Sequence, residues 1–222
     1  MKLVWSPETA SKAYIDTVKS CEIFQESGVA ELVSAMAAGW NAKFIVETWS
    51  HGGPIATSIG LAVASRHAGA RHVCIVPDEG SRSEYVAALS DAGVSAEVIV
   101  AGDAAEEAME GLAGVDFLVV DCRKKDFARV LRVAELSQRG AVLVCKNATS
   151  KNASGFRWRS VVDGSRRLVR SVFLPVGNGL DIAHVGAIGG GAVESSGPAK
   201  GEGRRWIKHV DQQSGEEYVI RK

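Results

Sequence analysis

Two strand-like segments of this 222-residue chain end in carboxylates, and these carboxylates are the groups best placed to do chemistry. Residues 44–48 contain Glu47, and residues 117–121 end at Asp121; a turn follows each segment. In open parallel sheets, ligands bind just beyond the carboxyl ends of the strands, so both acids are expected to line one crevice. The sequence therefore predicts a small-molecule site at this edge of a sheet.

Some of the candidate site residues also have an ordinary structural interpretation. His51 follows the first strand and could act as an acid or base near neutral pH, although a lone loop histidine is more often solvated. Asp103 can contact a ligand or cap the helix that follows it. Glu47 can bind a ligand or accept hydrogen bonds from loop amides. The sequence leaves these alternatives open.

Apolar strand-like segments alternate with helical segments through the middle of the chain. Five such units predict a parallel sheet with helices on both faces, and the continuously apolar strands fit that burial. Asn178-Gly179 predicts a tight turn between two later strands. The predicted fold class is therefore α/β, a doubly wound, mostly parallel seven-stranded sheet whose last strand is antiparallel. The predicted strands are 44–48, 72–76, 97–101, 116–121, 141–145, 172–175 and 180–185, and the main helices are 54–67, 81–91, 102–111 and 127–138.

The domain organisation follows from changes in composition along the chain. Residues 1–40 are predicted to form two helices packed on the core, and residues 41–185 to form the α/β core. The core carries a basic insertion at 148–170. Residues 186–204 are rich in Gly, Ser and Ala and predict a flexible linker, and residues 205–222 predict a hairpin extension.

Composition and charge exclude several classes of protein. Twenty-six basic residues balance 26 acidic ones, which disfavours a dedicated nucleic-acid or membrane partner. No segment approaches the roughly 20 apolar residues of a membrane-spanning helix, and the N-terminal residues do not resemble a secretory signal. The four cysteines lack a CxxC spacing and are interpreted as reduced, buried thiols. We therefore expect a cytoplasmic protein.

Four short motifs lie where predicted strands end, at 47–53, 102–104, 121–124 and 146–147. On these motifs the chain resembles the S-adenosylmethionine-dependent methyltransferase fold, a Rossmann-like fold. It is most similar to the small metal-dependent O-methyltransferases that act on catechols and caffeoyl thioesters, over about residues 27–185. With both ends included, the whole chain resembles a plant family, domain of unknown function 1442. The resemblance implies a small-molecule ligand and S-adenosylmethionine as cofactor.

The resemblance assigns several residues to the cofactor. Glu47 matches the acid that ends the first strand, and Gly53 matches a loop glycine that lets the backbone approach the methionine part of the cofactor. Asp103 and Ala104 match the motif on the adenine side. Trp49 stands where the family has glycine, so its ring is expected either to close the pocket or to stack on a ligand.

The second strand also departs from the family pattern. The family places there an acid that accepts hydrogen bonds from both ribose hydroxyls, and this chain has Val76. Asp78 is the nearest carboxylate, but Pro77 interrupts the strand before it. The resemblance therefore leaves ribose recognition unexplained.

The remaining matches concern the family's metal. Asp121 and Lys124 fit its Asp-x-x-Lys pattern, in which the Asp binds a divalent cation and the Lys acts near the substrate hydroxyl. Lys146 and Asn147 stand on the Asp-Asn pair that supplies the other metal ligands. A hard cation needs carboxylates, so replacing one with Lys146 predicts that no metal is used. We further expect the Lys146 ammonium to pair with Asp121.

The sequence predicts a divergent S-adenosylmethionine-binding methyltransferase-like protein, with Lys124 as the candidate base and no metal. An alternative is a non-catalytic binding or scaffold protein that kept the fold and lost the cofactor. A weaker third hypothesis is RNA binding through the basic segment, with Phe156 and Trp158 stacking on bases. The sequence leaves open whether the chain forms a homodimer.

Overall fold

The computed structural model describes residues 4–21, 28–162, 164 and 166–188, and the backbone of strands 206–210 and 217–221. The chain divides into two compact units, Met1–Ile188 and Gly189–Lys222.

The first unit alternates strands and helices in the order that the sequence predicts. Its strands are β1 Phe44–Thr48, β2 Arg71–Val76, β3 Glu97–Val100, β4 Ala113–Val115, β5 Phe117–Asp121, β6 Glu135–Leu136, β7 Ala141–Lys146, β8 Leu168–Leu174 and β9 Leu180–Val185. Its α-helices are α1 Pro7–Ser20, α2 Val29–Gly39, α3 Ala56–Ala68, α4 Glu79–Asp91, α5 Ala105–Glu110 and α6 Phe127–Val133.

Seven strands form one sheet in the order β3-β2-β1-β5-β7-β9-β8. Strands β1, β2, β3, β5 and β7 pair in parallel, whereas β9 is antiparallel to both of its neighbours. The predicted doubly wound, mostly parallel sheet with an antiparallel last strand is therefore confirmed. The order places the carboxyl ends of β1, β2, β5 and β7 side by side, with Asp121 opposite Lys146 in the register of β5 and β7.

Both faces of the central strands β1, β2, β5 and β7 are buried, which explains why these strands are mostly apolar, whereas the edge strand β8 is largely exposed. Side chains alternate between the faces, so Val46 and Leu118 enter the core on one side. Ile45 and Phe117 enter the core on the other side, which α2 and α3 cover. The close packing of α1, α2 and α3 includes a buried hydrogen bond of 2.8 Å from the Thr17 hydroxyl to that of Ser34.

The helix that the sequence predicts at 127–138 is too long. The helix α6 ends at Val133, and Ala134 adopts an extended conformation with ψ of 121°. Glu135–Leu136 then pairs in parallel with Ala113–Val115 to form a two-stranded sheet. The pairing uses backbone hydrogen-bonding groups that the predicted helix would need. No sequence pattern indicates this pairing, because both strands are very short.

The basic segment holds its aromatic rings inside the protein. The ring of Phe156 lies between those of Phe127 and Trp158, at centroid distances of 5.1 and 5.0 Å. Trp158 is buried, and its Nε1 donates a hydrogen bond of 2.7 Å to Asp181. The hypothesis that this indole stacks on RNA bases is therefore wrong, since its ring already packs in the core.

In the second unit, β10 Trp206–Val210 and β11 Glu217–Arg221 pair antiparallel. The linker predicted at 186–204 lies, from residue 189 onward, outside the described residues. Within the described part of the chain, no helix combines the length and apolar character needed to cross a bilayer.

Candidate functional site

A cavity of about 230 Å³ lies at the carboxyl ends of β1, β2, β5 and β7. This is where the sheet topology and the sequence place a ligand. Six of the predicted site residues line it: Trp49, Gly53, Asp103, Asp121, Lys124 and Lys146. The other four predicted site residues, Glu47, His51, Ala104 and Asn147, are not part of its lining.

Trp49 forms one wall of this cavity. Its side chain is buried and packs edge-on against the ring of Tyr85, with centroids 5.5 Å apart. Its backbone N–H donates to the Ile75 carbonyl at 3.0 Å, which continues the pairing of β1 with β2. The indole Nε1 has no hydrogen-bond partner among the described residues. The indole of Trp49 therefore takes up part of the space at the strand ends but does not close the cavity.

Gly53 is required by the close approach of its loop to Trp49. Its N–H donates to the Ser50 carbonyl at 2.9 Å, which closes a tight turn. A Cβ at this position would lie 2.9 Å from that carbonyl oxygen and 3.1 Å from the Trp49 Nε1. Any side chain here would therefore displace the turn or the indole.

Glu47 lies beside the cavity in a closed network of hydrogen bonds. Its side chain is fully buried. It accepts hydrogen bonds from the Tyr85 hydroxyl at 2.7 Å and the Ser58 hydroxyl at 2.8 Å. His72 Nε2 donates to the same carboxylate at 3.2 Å. Because Tyr85 also packs on Trp49, this network holds the wall of the cavity in place.

The charge of Glu47 is stabilised despite its burial. Burial by itself raises the pKa of this carboxyl group, but the hydrogen bond and charge of His72, the charge of Lys146 and the Tyr85 hydroxyl outweigh that effect. The pKa of Glu47 therefore lies below its ordinary value. Burial and the adjacent Glu47 charge raise the pKa of Tyr85 well above its ordinary value, which keeps the phenol protonated as a donor.

Asp121 lines the cavity, but its carboxylate already accepts hydrogen bonds from other residues of the protein. Arg123 binds its carboxylate through both Nε and Nη2, at 3.0 and 2.6 Å. The Arg123 backbone N–H and the Asn147 side-chain amide each donate to it at 2.9 Å. Burial raises the pKa of Asp121, and the hydrogen bonds from Arg123 and Asn147 together with the Lys146 charge more than reverse that effect.

The expected pairing of Lys146 with Asp121 is wrong. The two residues are neighbours in register, yet the salt bridge to Asp121 comes from Arg123 at 2.6 Å. The Lys146 side chain is buried, and its Nζ has no hydrogen-bond partner among the described residues. The short loop after β5 brings the Arg123 side chain back onto the Asp121 carboxylate, and this contact depends on a loop conformation that no sequence pattern indicates.

Asn147 supports Asp121 from outside the cavity lining. It adopts a left-handed backbone conformation, with φ of 58°. Its Nδ2 donates to Asp121 at 2.9 Å, and its Oδ1 accepts a hydrogen bond of 3.2 Å from Asn178. Both ends of this amide are therefore occupied, and Asn147 orients Asp121.

Three charged side chains that line the cavity, those of Asp103, Lys124 and Asp126, have no hydrogen-bond or ionic partner among the described residues. Asp103 is exposed and has no hydrogen-bond or ionic partner among the described residues, and Ala104 next to it begins helix α5 as its N-cap. Lys124 is exposed, so it does not have the desolvated surroundings expected of a buried base. Asp126 is the N-cap of α6, but its carboxylate caps no backbone amide. These side chains are available to a ligand.

The end of β2 presents no carboxylate to the cavity. Ile75, Val76 and Pro77 line it, whereas Asp78 accepts a hydrogen bond from the Ser81 N–H at 2.7 Å and caps helix α4. The ribose acid of the methyltransferase fold therefore has no counterpart at this position.

His51 faces solvent, away from the cavity. Its side chain is 81% exposed, and its Nδ1 pairs with Glu84 on helix α4. This position agrees with the interpretation of His51 as a solvated loop residue.

The residues at this site do not fit a hard divalent cation. Among the described residues, no three His, Cys, Asp or Glu side chains gather as a ligand set. The Arg123 guanidinium already occupies the Asp121 carboxylate, and Lys146 places an ammonium where a second carboxylate would be needed. Both features oppose cation binding on chemical grounds.

Several lining residues were not among the sequence candidates. Thr48, Ser50, Ile75, Pro77, Gly102 and Asp126 come from the same strand ends and loops, whereas Ala105 and Val130 come from helices α5 and α6. Asp126 could have been found from the sequence, because it lies between the end of β5 and the first residue of α6, at the same sheet edge as Asp121. Val130 could not, since its place depends on how α6 packs.

Several solved structures with a similar fold are methyltransferases. A methyltransferase from Geobacter sulfurreducens is 22% identical with a TM-score of 0.57, and the alignment covers 79% of this chain and 88% of that one. The methyltransferase PaMTH1 from Podospora anserina, solved with S-adenosylhomocysteine (SAH) bound, is 14% identical with a TM-score of 0.56, covering 81% and 88%. The O-methyltransferase TomG from Streptomyces achromogenes, in complex with S-adenosylmethionine (SAM), is 22% identical with a TM-score of 0.52, covering 83% and 92%.

These similarities establish the methyltransferase fold of the chain. No curated protein sequence matches it. The family model described as protein of unknown function (DUF1442) matches residues 1–222, and the chain belongs to that family.

Proposed function

We propose that the protein binds SAM in the cavity at the strand ends and transfers its methyl group to a small molecule without a metal. The observation that carries this proposal is the cavity itself. Three residues predicted to hold the cofactor, Trp49, Gly53 and Asp103, line one hollow together with Asp121, at the sheet edge where open parallel sheets bind ligands. The SAH-bound and SAM-bound relatives add support from the fold.

The chemistry of the lining fits such a cofactor. The Trp49 Nε1 is a buried donor without a protein acceptor, and a carboxylate or hydroxyl of the cofactor would supply one. The Asp103 and Asp126 carboxylates lack protein donors, and the amino groups of the methionine and adenine parts would supply those. Ile75 and Val76 provide an apolar surface for the adenosine.

Bound SAM supplies an electrophilic methyl group, and the protein's main task is to position it against the acceptor. We assign this task to Trp49 and Gly53, because the turn and the indole shape the cavity together. Glu47 acts behind them through Tyr85 as a positioning residue. Lys124 also lines the cavity. Because it is exposed and lacks the desolvation that a lysine base requires, we assign it contact with the ligand and not the predicted role of base.

The proposal of a metal-independent reaction rests on Asp121. Its carboxylate accepts hydrogen bonds from the Arg123 side chain and backbone and from Asn147, so few lone pairs remain for a cation. Binding a metal there would require displacement of Arg123, whose geometry on the carboxylate is bidentate.

We also place the protein in the cytoplasm. Cys74, Cys122 and Cys145 are buried thiols, which suits a reducing compartment. Burial raises the pKa of Cys74 and of Cys145 well above the ordinary value, so both thiols are kept protonated and unreactive.

Calorimetric titration with SAH and with SAM tests the proposal. We expect both ligands to bind the full chain, and Asp103→Asn to weaken SAH binding by about tenfold, because an amide loses the charge that attracts the adenine or ammonium donors. Asp91→Asn, which changes an exposed aspartate outside the cavity, is the matched control and should bind like the wild type. Absence of heat with both ligands at millimolar concentration would contradict the proposal and leave the scaffold alternative.

A further inference from the structure

Lys146 lies at the junction of two cavities. It ends β7, lines the cavity described above, and also lines a second cavity of about 510 Å³. The second cavity is bounded by the start of α2, the residues that lead into α3, and the turn between β8 and β9. Its apolar surface comes from Val29, Pro54, Val176 and Leu180. Among the described residues that line this cavity, Lys146 alone is charged.

The Lys146 ammonium is buried and has no acceptor among the described residues. The nearby acceptors are already occupied. Glu47 holds Tyr85, Ser58 and His72, and Asp121 holds Arg123 and Asn147. A buried cation without a partner is costly, so an unused ammonium of this kind points to a ligand that brings an anionic oxygen.

We propose that the second cavity binds a small organic acid, a carboxylate or a phenolate, whose anionic oxygen is held by the Lys146 Nζ. The inference rests on the proposed function, because it makes the anionic oxygen of this acid the methyl acceptor. An O–CH3 bond would form as the S–CH3 bond of SAM in the first cavity breaks, and SAH would be the leaving group. The apolar lining selects a flat or aliphatic body behind the acidic group. The buried ammonium selects the ionised oxygen over a neutral one.

This assignment explains why the site can dispense with a metal. A divalent cation in such a site would serve to hold and ionise a hydroxyl of the acceptor. A carboxylate is ionised at neutral pH, and a buried ammonium favours the phenolate form of a bound phenol. Either anion then needs only a fixed positive charge to orient its oxygen, and Lys146, which lines both cavities, provides that charge. Arg123 occupies the Asp121 carboxylate, but this does not hinder the reaction, because no metal has to bind there.

The test is a ¹H–¹⁵N NMR titration of the full chain, in the presence of SAH, with three probes of similar size. Benzoate carries a carboxylate, 4-nitrophenol supplies a phenolate, and benzamide is the neutral counterpart of benzoate. We expect one anion to bind at least about tenfold more tightly than benzamide. The amide signals of Asn178 and Gly179, which line the second cavity, should move with it. The anion that prevails distinguishes a carboxylic from a phenolic acceptor.

Lys146→Met, which keeps a similar length without the charge, should reduce this preference to less than about threefold. Lys125→Met, which removes the charge of an exposed lysine outside both cavities, should keep it. Equal binding of benzamide and both anions by the wild type, or no binding of any probe, would overturn the inference, and neither result depends on a variant that folds. SAH binding is measured separately. If the protein binds SAH but does not prefer anions, only this inference is contradicted. If it prefers anions but does not bind SAH, only the proposed function is contradicted.

Discussion

At the scale of single residues, the carboxylates at the strand ends differ in their burial and in their hydrogen-bond partners. Glu47 is sealed inside the protein and Asp121 is held by Arg123, so neither is free in the way its sequence position suggests. The sequence shows which residues end the strands, and six of its ten candidates line the cavity. It does not show which acids find internal partners, because Tyr85 and His72 reach Glu47 only through tertiary packing.

The hydrogen bond from Tyr85 to Glu47 should contribute measurably to stability. Tyr85→Phe removes a donor from a fully buried charge, so we expect a loss of about 1–3 kcal/mol in the free energy of unfolding. Urea denaturation measures the change. Tyr14→Phe alters an exposed tyrosine and should leave the free energy of unfolding unchanged. An equal effect of the two substitutions would contradict the account of the Glu47 network.

Arg123 should determine the ionisation of Asp121. Burial raises the pKa of this carboxyl group, and the bidentate Arg123 is foremost among the groups that lower it. Arg123→Gln should therefore raise the pKa of Asp121, which ¹³C-detected NMR titration of its carboxyl carbon can follow. Arg129→Gln removes an arginine that pairs with Glu106 and should not change the titration of Asp121. An unchanged pKa in Arg123→Gln would mean that Arg123 does not hold the carboxylate in solution.

At the scale of elements, the sequence predicts strands better than loops and short pairings. The predicted β1 agrees with the structure because its apolar run and flanking turns admit one interpretation. The helix predicted at 127–138 is shortened because β6 pairs with β4, and a two-residue strand has no periodicity to detect. The loop after β1 is the element that decides whether a ligand can enter, since it carries both Trp49 and Gly53.

Gly53 should be essential to that loop. Gly53→Ala brings a methyl group within 2.9 Å of the Ser50 carbonyl and 3.1 Å of the Trp49 Nε1, so the indole or the turn must shift. We expect SAH affinity to fall by about tenfold or more, as measured by calorimetry. Gly111→Ala, where the nearest atom to the new methyl group is 3.5 Å away, should bind SAH normally. Unchanged affinity in Gly53→Ala would show that this turn does not shape the ligand site.

At the scale of the whole molecule, the mostly parallel sheet and its antiparallel last strand were predictable, because the alternation of apolar strands with helices and the Asn178-Gly179 turn both indicate them. The polar connections through the core were not predictable. They link β1, β2, α3 and α4 through the single carboxylate of Glu47, whose pKa lies below its ordinary value despite its burial.

Acid should therefore destabilise the protein. The pKa values of Glu47 and Asp121 are lower in the folded chain than their ordinary values, so both groups stabilise the fold above the ordinary carboxylate range, near pH 4. That contribution is lost as the pH falls through their folded pKa values. Asp116, whose pKa is raised mainly by burial, acts in the opposite direction.

Urea midpoints measured between about pH 7 and pH 3 should fall toward acid, with most of the loss below the ordinary carboxylate range. Glu47→Gln should start from a lower midpoint and lose less of it on acidification, because the variant has one fewer ionisable group with a depressed pKa. A loss of equal size in this variant and in the wild type would contradict the role of Glu47 as a buried, ionised acid.

A crystal structure of the full chain with SAH would show directly whether the cavity holds the cofactor. We expect electron density for SAH in the cavity at the ends of β1, β2, β5 and β7, in contact with Trp49 and Asp103. We also expect Asp121 to stay bound to Arg123. A cavity that remains empty at saturating SAH, or SAH bound at another place on the chain, would contradict the claim that this fold still holds a methyltransferase cofactor.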